Sequence, residues 1–202
     1  MKFYDNQSAP NPRRARIFMA EKGVTIPTVQ IDIGKLENRS PEFLAINPLG
    51  LVPVLELDNG SYIAESLAIC RYLEALHPEP ALFGFTPDDT AQVEMWVHRV
   101  EFNLVQNVFS CFQNTHDYMK DRMTQIPAYG ELCRERALEF CALLNEQLGG
   151  GQYLAGDNYS MADISAQMAL DFGKVVKIRP DESHTHLLRW QEDVAARPSA
   201  KA

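Results

Sequence analysis

A chain of 202 residues with 46% hydrophobic side chains is long enough to bury a sizeable core, as one large domain or two small ones. Its formal net charge of -8 argues against a general binder of nucleic acid or anionic membrane, and no window approaches the roughly 18 unbroken apolar residues of a membrane span. Asp5, Arg13, Arg14, Arg16, Glu21 and Lys22 stand where a secretory signal needs an apolar run, so a cytoplasmic location is expected. The charge is uneven: residues 1–78 balance at -1 and residues 79–202 at -7, so an anionic ligand meets less repulsion in the first half. In chain order, Lys2 to Tyr4 is strand-like, and Asn6 to Pro12 is rich in turn formers. Arg13 to Gly23 reads as a helix closed by glycine, with Asn11 expected at its N-cap and Pro12 as its first residue. Thr25 to Ile33 is β-branched, and a short helix follows from Pro41 to about Asn47. Val52 to Leu57 and Ser61 to Ala64, joined by Asp58-Asn59-Gly60, form a hairpin signal whose Asn-Gly accepts positive φ at both central turn positions. From Glu65 to His77, Leu67, Cys70, Leu73 and Leu76 recur at helical spacing.

The prolines of His77-Pro78-Glu79-Pro80 break that helix and open a linker over residues 79–86, so the expected domains are 1–78 and 87–202. Beyond Pro87 no strand signal remains. Residues 88–121 read as one long helix, with Trp96, Val100, Leu104, Asn107 and Cys111 on one face and Val105, Phe109 and Phe112 on another, so that it is apolar on more than one side. Residues 129–148 form a second helix ended by the glycines at 149–151, a third begins at Ser160, and a fourth covers about 184–196. Ser160-Met161-Ala162-Asp163 has the spacing of a capping box, with Tyr159 and Ile164 placed as a hydrophobic staple. The cysteines at 70, 111, 133 and 141 show neither CxxC nor metal-ligand spacing, so reduced, buried thiols and no metal site are expected.

Four motifs in this order carry a resemblance that covers essentially the whole chain. They are Ser8 to Gly23, Pro41 to Pro48 with Val52-Pro53-Val54-Leu55, Ile63-Ala64-Glu65-Ser66-Leu67, and Tyr153 to Ile164. Together they resemble the cytosolic glutathione S-transferase superfamily, most closely its bacterial members and the atypical fungal members that lack the usual catalytic Tyr, Ser or Cys. The resemblance implies an α/β thioredoxin-like N-terminal domain of order β-α-β-α-β-β-α followed by an all-α C-terminal bundle. It implies glutathione as co-substrate, a hydrophobic electrophile or small disulfide as second substrate, and a homodimer joining the sheet domain of one chain to the long helices of the other.

The resemblance also assigns roles. Val52-Pro53 matches the position of a cis proline that turns the main chain of Val52 toward the cysteinyl part of glutathione. Glu65 and Ser66, at a helix N-terminus that favours a carboxylate, match the γ-glutamyl site, and capping alone is the plainer role for them. Asn38 and Arg39 align best with the glycyl contacts, with Lys35 nearby, and simple surface charge is the alternative for each. The serine of several classes falls on Ala9, with Ser8 one residue off that register, and the cysteine of another class falls on Asn11, where bacterial nu-type enzymes also carry Asn. Asn11 is therefore the expected thiolate contact, and Ser8 the reserve candidate. The serine and histidine of the fungal enzymes match Phe109 and Gln113, so the resemblance implies that this device is altered or lost, and His116 is a candidate replacement or a solvated surface group. Phe109, Phe112 and Gln113 should line the second-substrate pocket. Three readings follow: a conjugating transferase, a glutathione-dependent disulfide reductase or peroxidase, and a non-catalytic glutathione-binding or assembly protein.

Overall fold

The strand-like start becomes β1, Lys2–Asp5, in a four-stranded sheet of order β2-β1-β3-β4. β1 runs parallel to β2, Thr28–Gln30, and antiparallel to β3, Val54–Glu56, which pairs antiparallel with β4, Tyr62–Ala64. A parallel neighbour needs a crossover, and α1, Pro10–Glu21, provides it between β1 and β2. Pleating alternates the faces of the sheet. Tyr4 and Val54, paired across β1 and β3, cluster with Ile31, Val52 and Phe43, the last from α2, Pro41–Ile46. The adjacent pair Phe3 and Leu55 therefore belongs to the opposite face, and α1 and α3, Ser66–Leu76, supply Ile17, Phe18, Ile69 and Leu73, all fully buried. The computed structural model describes all 202 residues, and contacts divide them into Met1–Pro80 with Pro198–Ala202, and Ala81–Arg197. Residues 198–202, which the sequence groups with the second domain, thus belong with the first unit, where Ala200 O accepts from Arg13 Nη2 at 3.2 Å.

Two local expectations change. α1 begins at Pro10 with Ala9 at the N-cap, so Asn11 is the second helical residue and not the cap. The N–H groups of the first turn have no intrahelical acceptors, so the missing N–H of Pro10 and Pro12 costs no hydrogen bond there. In the hairpin only Gly60 has positive φ, at 81°, and its N–H reaches Leu57 O at 3.0 Å. The loop is therefore a turn followed by a glycine bulge, not the two-residue turn with both central residues at positive φ.

The second unit is helical: α4, Pro87–Val100; a π-helical turn, Glu101–Val105; α5, Gln106–Thr115; α6, Pro127–Leu148; α7, Met161–Gly173; and α8, Thr185–Ala195. The single helix expected over 88–121 is thus interrupted at the π turn and ends at Thr115. It stops because Gln125 Nε2 donates to the carbonyls of Gln113 and His116, at 2.9 and 3.0 Å, and Asn114 Oδ1 accepts from Ile126 N at 2.9 Å. These bonds cap the helix and turn the chain into α6. Residues 161–170 of α7 are buried without exception, and the expected capping box at its start is present. All four cysteines are free and buried, and burial pushes the Cys70 and Cys141 thiols up to about 12. No helix is long and apolar enough to cross a membrane.

Candidate functional site

The β3–β4 register decides where the sequence-selected residues meet. Val54 pairs with Ala64, so the two residues before β3, Val52 and Pro53, lie at the same end of the pair as the two after β4, Glu65 and Ser66. The Val52–Pro53 peptide is cis. Val52 packs in the sheet-face cluster, against which Ala9 is also packed. Glu65 is exposed at φ 67°, and Ser66, the first residue of α3, is 5% exposed. The main-chain N–H groups of the first turn of α3 have no intrahelical acceptors, which makes this end a place for a carboxylate.

α1 reaches the same point. Its Arg14, 2% exposed, donates from Nη1 to Ser66 Oγ at 3.4 Å. Asn11 stands three residues before Arg14 on α1, on the same face and one turn nearer the N-terminus. The loop leading to Asn11 is braced. Asn6 Nδ2 donates to Ile31 O at 2.9 Å, and Asn6 O and Oδ1 accept from the N–H of Ala9 and Ser8, at 3.0 and 3.1 Å. Arg16 bonds to Asp5 at 2.6 Å and to Gln7 O at 3.0 Å. Ser8 itself is exposed. The tyrosine of β1 is otherwise occupied: Tyr4 donates to Glu56 Oε2 at 2.6 Å, and burial together with that carboxylate pushes its phenol up to about 12. Such a phenol is a poor partner for a thiol at neutral pH.

The residues expected at a glycyl carboxylate divide. Asn38, an expected glycyl contact, is buried, and its amide nitrogen donates to Gly50 O at 2.7 Å. Asn47 Nδ2 similarly holds Leu51 O at 2.8 Å. These two amides fix the loop before Val52, and Gly50 enters it at φ 61°, where a Cβ would lie 2.7 Å from Asn38 O. Arg39 is exposed and donates to Leu49 O at 3.1 Å, while Lys35 is exposed beside Asp32. Sequence reasoning missed Asn47 and Arg14. The signal for Arg14 was available: four residues before Phe18, it puts a cation on a helix face that also carries core residues.

In the helical unit, Phe109 and Phe112 both pack on Phe172 of α7, with ring centroids 5.5 and 5.0 Å apart. His116 stacks on Phe112 at 4.7 Å, while its Nδ1 accepts from Tyr118 N at 3.2 Å and caps the short turn that follows. His116 is therefore held in a structural role. Gln113 is exposed beside this aromatic group, and its carbonyl accepts the Gln125 amide. Phe172, distant in sequence, carries no local signal that would select it. Separately, an open groove on α6 and the π turn carries exposed Phe102, Tyr129 and Leu143. No group of three or more His, Cys, Asp or Glu side chains is arranged to hold a metal ion.

Comparison with known proteins adds an independent line. Residues 9–76 match the family described as glutathione S-transferase, N-terminal domain, and residues 106–198 match glutathione S-transferase, C-terminal domain. Glutathione S-transferase 2 of Saccharomyces cerevisiae is 37% identical over 205 aligned positions, covering 100% of this chain and 88% of its own. Among solved structures, a glutathione S-transferase domain-containing protein of Marinobacter aquaeolei superposes with a TM-score of 0.92 at 38% identity, covering 98% of this chain and 99% of its own. Gtt2 of Saccharomyces cerevisiae superposes with a TM-score of 0.94 at 36% identity, covering 100% and 99%.

Proposed function

This chain belongs to the glutathione S-transferase family, and from that membership we propose that it conjugates the thiolate of glutathione to a hydrophobic electrophile. One observation carries the reading: the β3–β4 register gathers Val52, Pro53, Glu65 and Ser66 at one end of the sheet, next to the N-terminus of α3. In this reading Glu65 pairs with the γ-glutamyl ammonium, and Ser66 with its carboxylate. The main chain of Val52 pairs with the cysteinyl unit, Arg39 and Lys35 serve the glycyl carboxylate, and Asn38 acts on the site by fixing the loop that carries Val52. The aromatic surface of Phe109 and Phe112, with Gln113 beside it, receives the electrophile. Only a few per cent of a free thiol is ionised at neutral pH, so the enzyme's task is to hold the thiolate.

The test is a steady-state panel with a chloronitrobenzene and a glutathione-reactive disulfide. Turnover of the first supports conjugation. Turnover of the disulfide alone reassigns the protein to disulfide reduction, and turnover of neither despite glutathione binding reassigns it to a binding role.

Asn11 is the group proposed to stabilise the thiolate, since its amide N–H can donate to sulfur while an amide has no basic site at neutral pH. The positive end of α1 shares this task. Asn11→Ala is expected to raise the pKa of the bound thiol by about one unit, the equivalent of about 1.4 kcal/mol, with little change in glutathione affinity. Ultraviolet thiolate absorbance against pH measures it, and an unmoved pKa would transfer the role to Ser8 or to the backbone.

We further propose a homodimer, supported by the exposed Phe102, Tyr129 and Leu143 on the mixed polar and apolar groove of α6 and the π turn. Light scattering should give twice the chain mass of 22.8 kDa at micromolar concentration, and the mass of a single chain would refute it.

A further inference from the structure

Beside Ser66 lies a buried cation that the reading above does not use. Arg14 is 2% exposed, comes from α1, and directs Nη1 at Ser66 Oγ across 3.4 Å. A guanidinium has five donors and no acceptor, and it stays charged at every pH a folded protein meets. The serine hydroxyl, by contrast, owns one hydrogen and two lone pairs. In this pair the hydroxyl is therefore the acceptor, and its hydrogen remains available for a different acceptor. Both side chains are more than nine-tenths buried, where the low dielectric lets the cation polarise the hydroxyl and strengthens the bond it donates. The acceptor that complements a polarised hydroxyl, a helix N-terminus and a nearby buried cation is a carboxylate.

We propose that Arg14 is a positioning residue for substrate recognition: it holds Ser66 Oγ as an acceptor so that the hydroxyl donates to the α-carboxylate of the γ-glutamyl group. This rests on the reading of Ser66 as a γ-glutamyl ligand. Arg14 touches Ser66, and Ser66 touches the substrate. The recognised class is a γ-glutamyl thiol with its α-carboxylate intact. A purely architectural Arg14, tying α1 to α3, would alter stability and leave discrimination at that carboxylate unchanged.

The experiment is titration calorimetry with two ligands, glutathione and the analogue 4-aminobutyryl-cysteinyl-glycine, which lacks only the α-carboxylate. The wild type should bind the analogue at least about tenfold more weakly than glutathione, as expected for loss of a charge-assisted hydrogen bond. In Arg14→Met that ratio is expected to fall to within about threefold, because the hydroxyl is no longer fixed or polarised. In steady-state assays the same variant should raise the KM for glutathione and leave kcat unchanged at saturation. Arg14→Lys retains the cation and should keep most of the ratio. Should Arg14→Met not fold, Arg14→Gln keeps donors near Ser66 without the charge and is expected to lower the ratio as well. An unchanged ratio in either neutral variant, with glutathione still bound, overturns the inference alone. A wild type that fails to bind glutathione overturns the reading of the site, and the inference with it.

Discussion

Asp163→Ala is expected to destabilise the helical unit by about 4 kcal/mol, the cost of leaving several buried donors unpaired at about 1 to 3 kcal/mol each after partial relaxation. Asp163 is fully buried at the start of α7 and accepts four hydrogen bonds. Oδ1 receives Leu154 N at 3.0 Å and Trp190 Nε1 at 2.8 Å, and Oδ2 receives Ser160 N at 3.0 Å and Ser160 Oγ at 2.9 Å. One side chain therefore closes the capping box, anchors the loop before α7 and pins the fully buried indole of α8. Alanine fills none of these roles, and the indole N–H loses its acceptor. Both tryptophans of the chain, Trp96 and Trp190, lie in this unit, so tryptophan fluorescence during denaturant unfolding reports it directly. A loss below about 1 kcal/mol would mean that the surroundings supply replacement acceptors.

Glu65→Ala is expected to weaken glutathione binding by about ten- to a hundred-fold, since a charge-assisted hydrogen bond contributes about 1.5 to 3 kcal/mol. The fold should survive, because Glu65 is exposed and its side chain caps no helix N–H. Its φ of 67° is awkward for glutamate and alanine alike, so the backbone cost largely cancels between them. Glu65→Gln keeps the hydrogen-bonding oxygen without the charge and should fall between the two. Calorimetric titration measures the series, and an affinity for glutathione that does not move in Glu65→Ala removes the residue from the site.

What could be read from the sequence is what depends on neighbours along the chain. The hairpin around Gly60, the capping box at Ser160 and Asp163, and the break at the prolines near 80 are set within a few residues, and each was legible. The first turn of α1 was not placed correctly, because two prolines compete for its start and either satisfies the local rules. The sequence reading assigned Asn38 to a ligand. Its buried amide also holds Gly50 O, twelve residues away, a partner no local pattern announces. The π turn at Glu101–Val105 was hidden for a related reason: its periodicity differs from an α-helix by about one residue per turn, within the scatter of an apolar stripe. The aromatic group was half legible, with Phe109 and Phe112 selected from α5 and Phe172 supplied by α7.

Pro198–Ala202 belong to the first unit, where Ser199 donates to Glu21 and Arg13 reaches Ala200 O. Domains generally fold in the order in which they leave the ribosome. Here the first unit takes in residues made after the whole of the second, so α1 waits for partners that lie 178 and 187 positions downstream. The strand pairings all lie within residues 2–64 and can form early, whereas the contacts of Ser199 and Ala200 with α1 form only after the second unit has been made. Folding domain by domain along the chain is therefore interrupted in the first unit by residues 198–202.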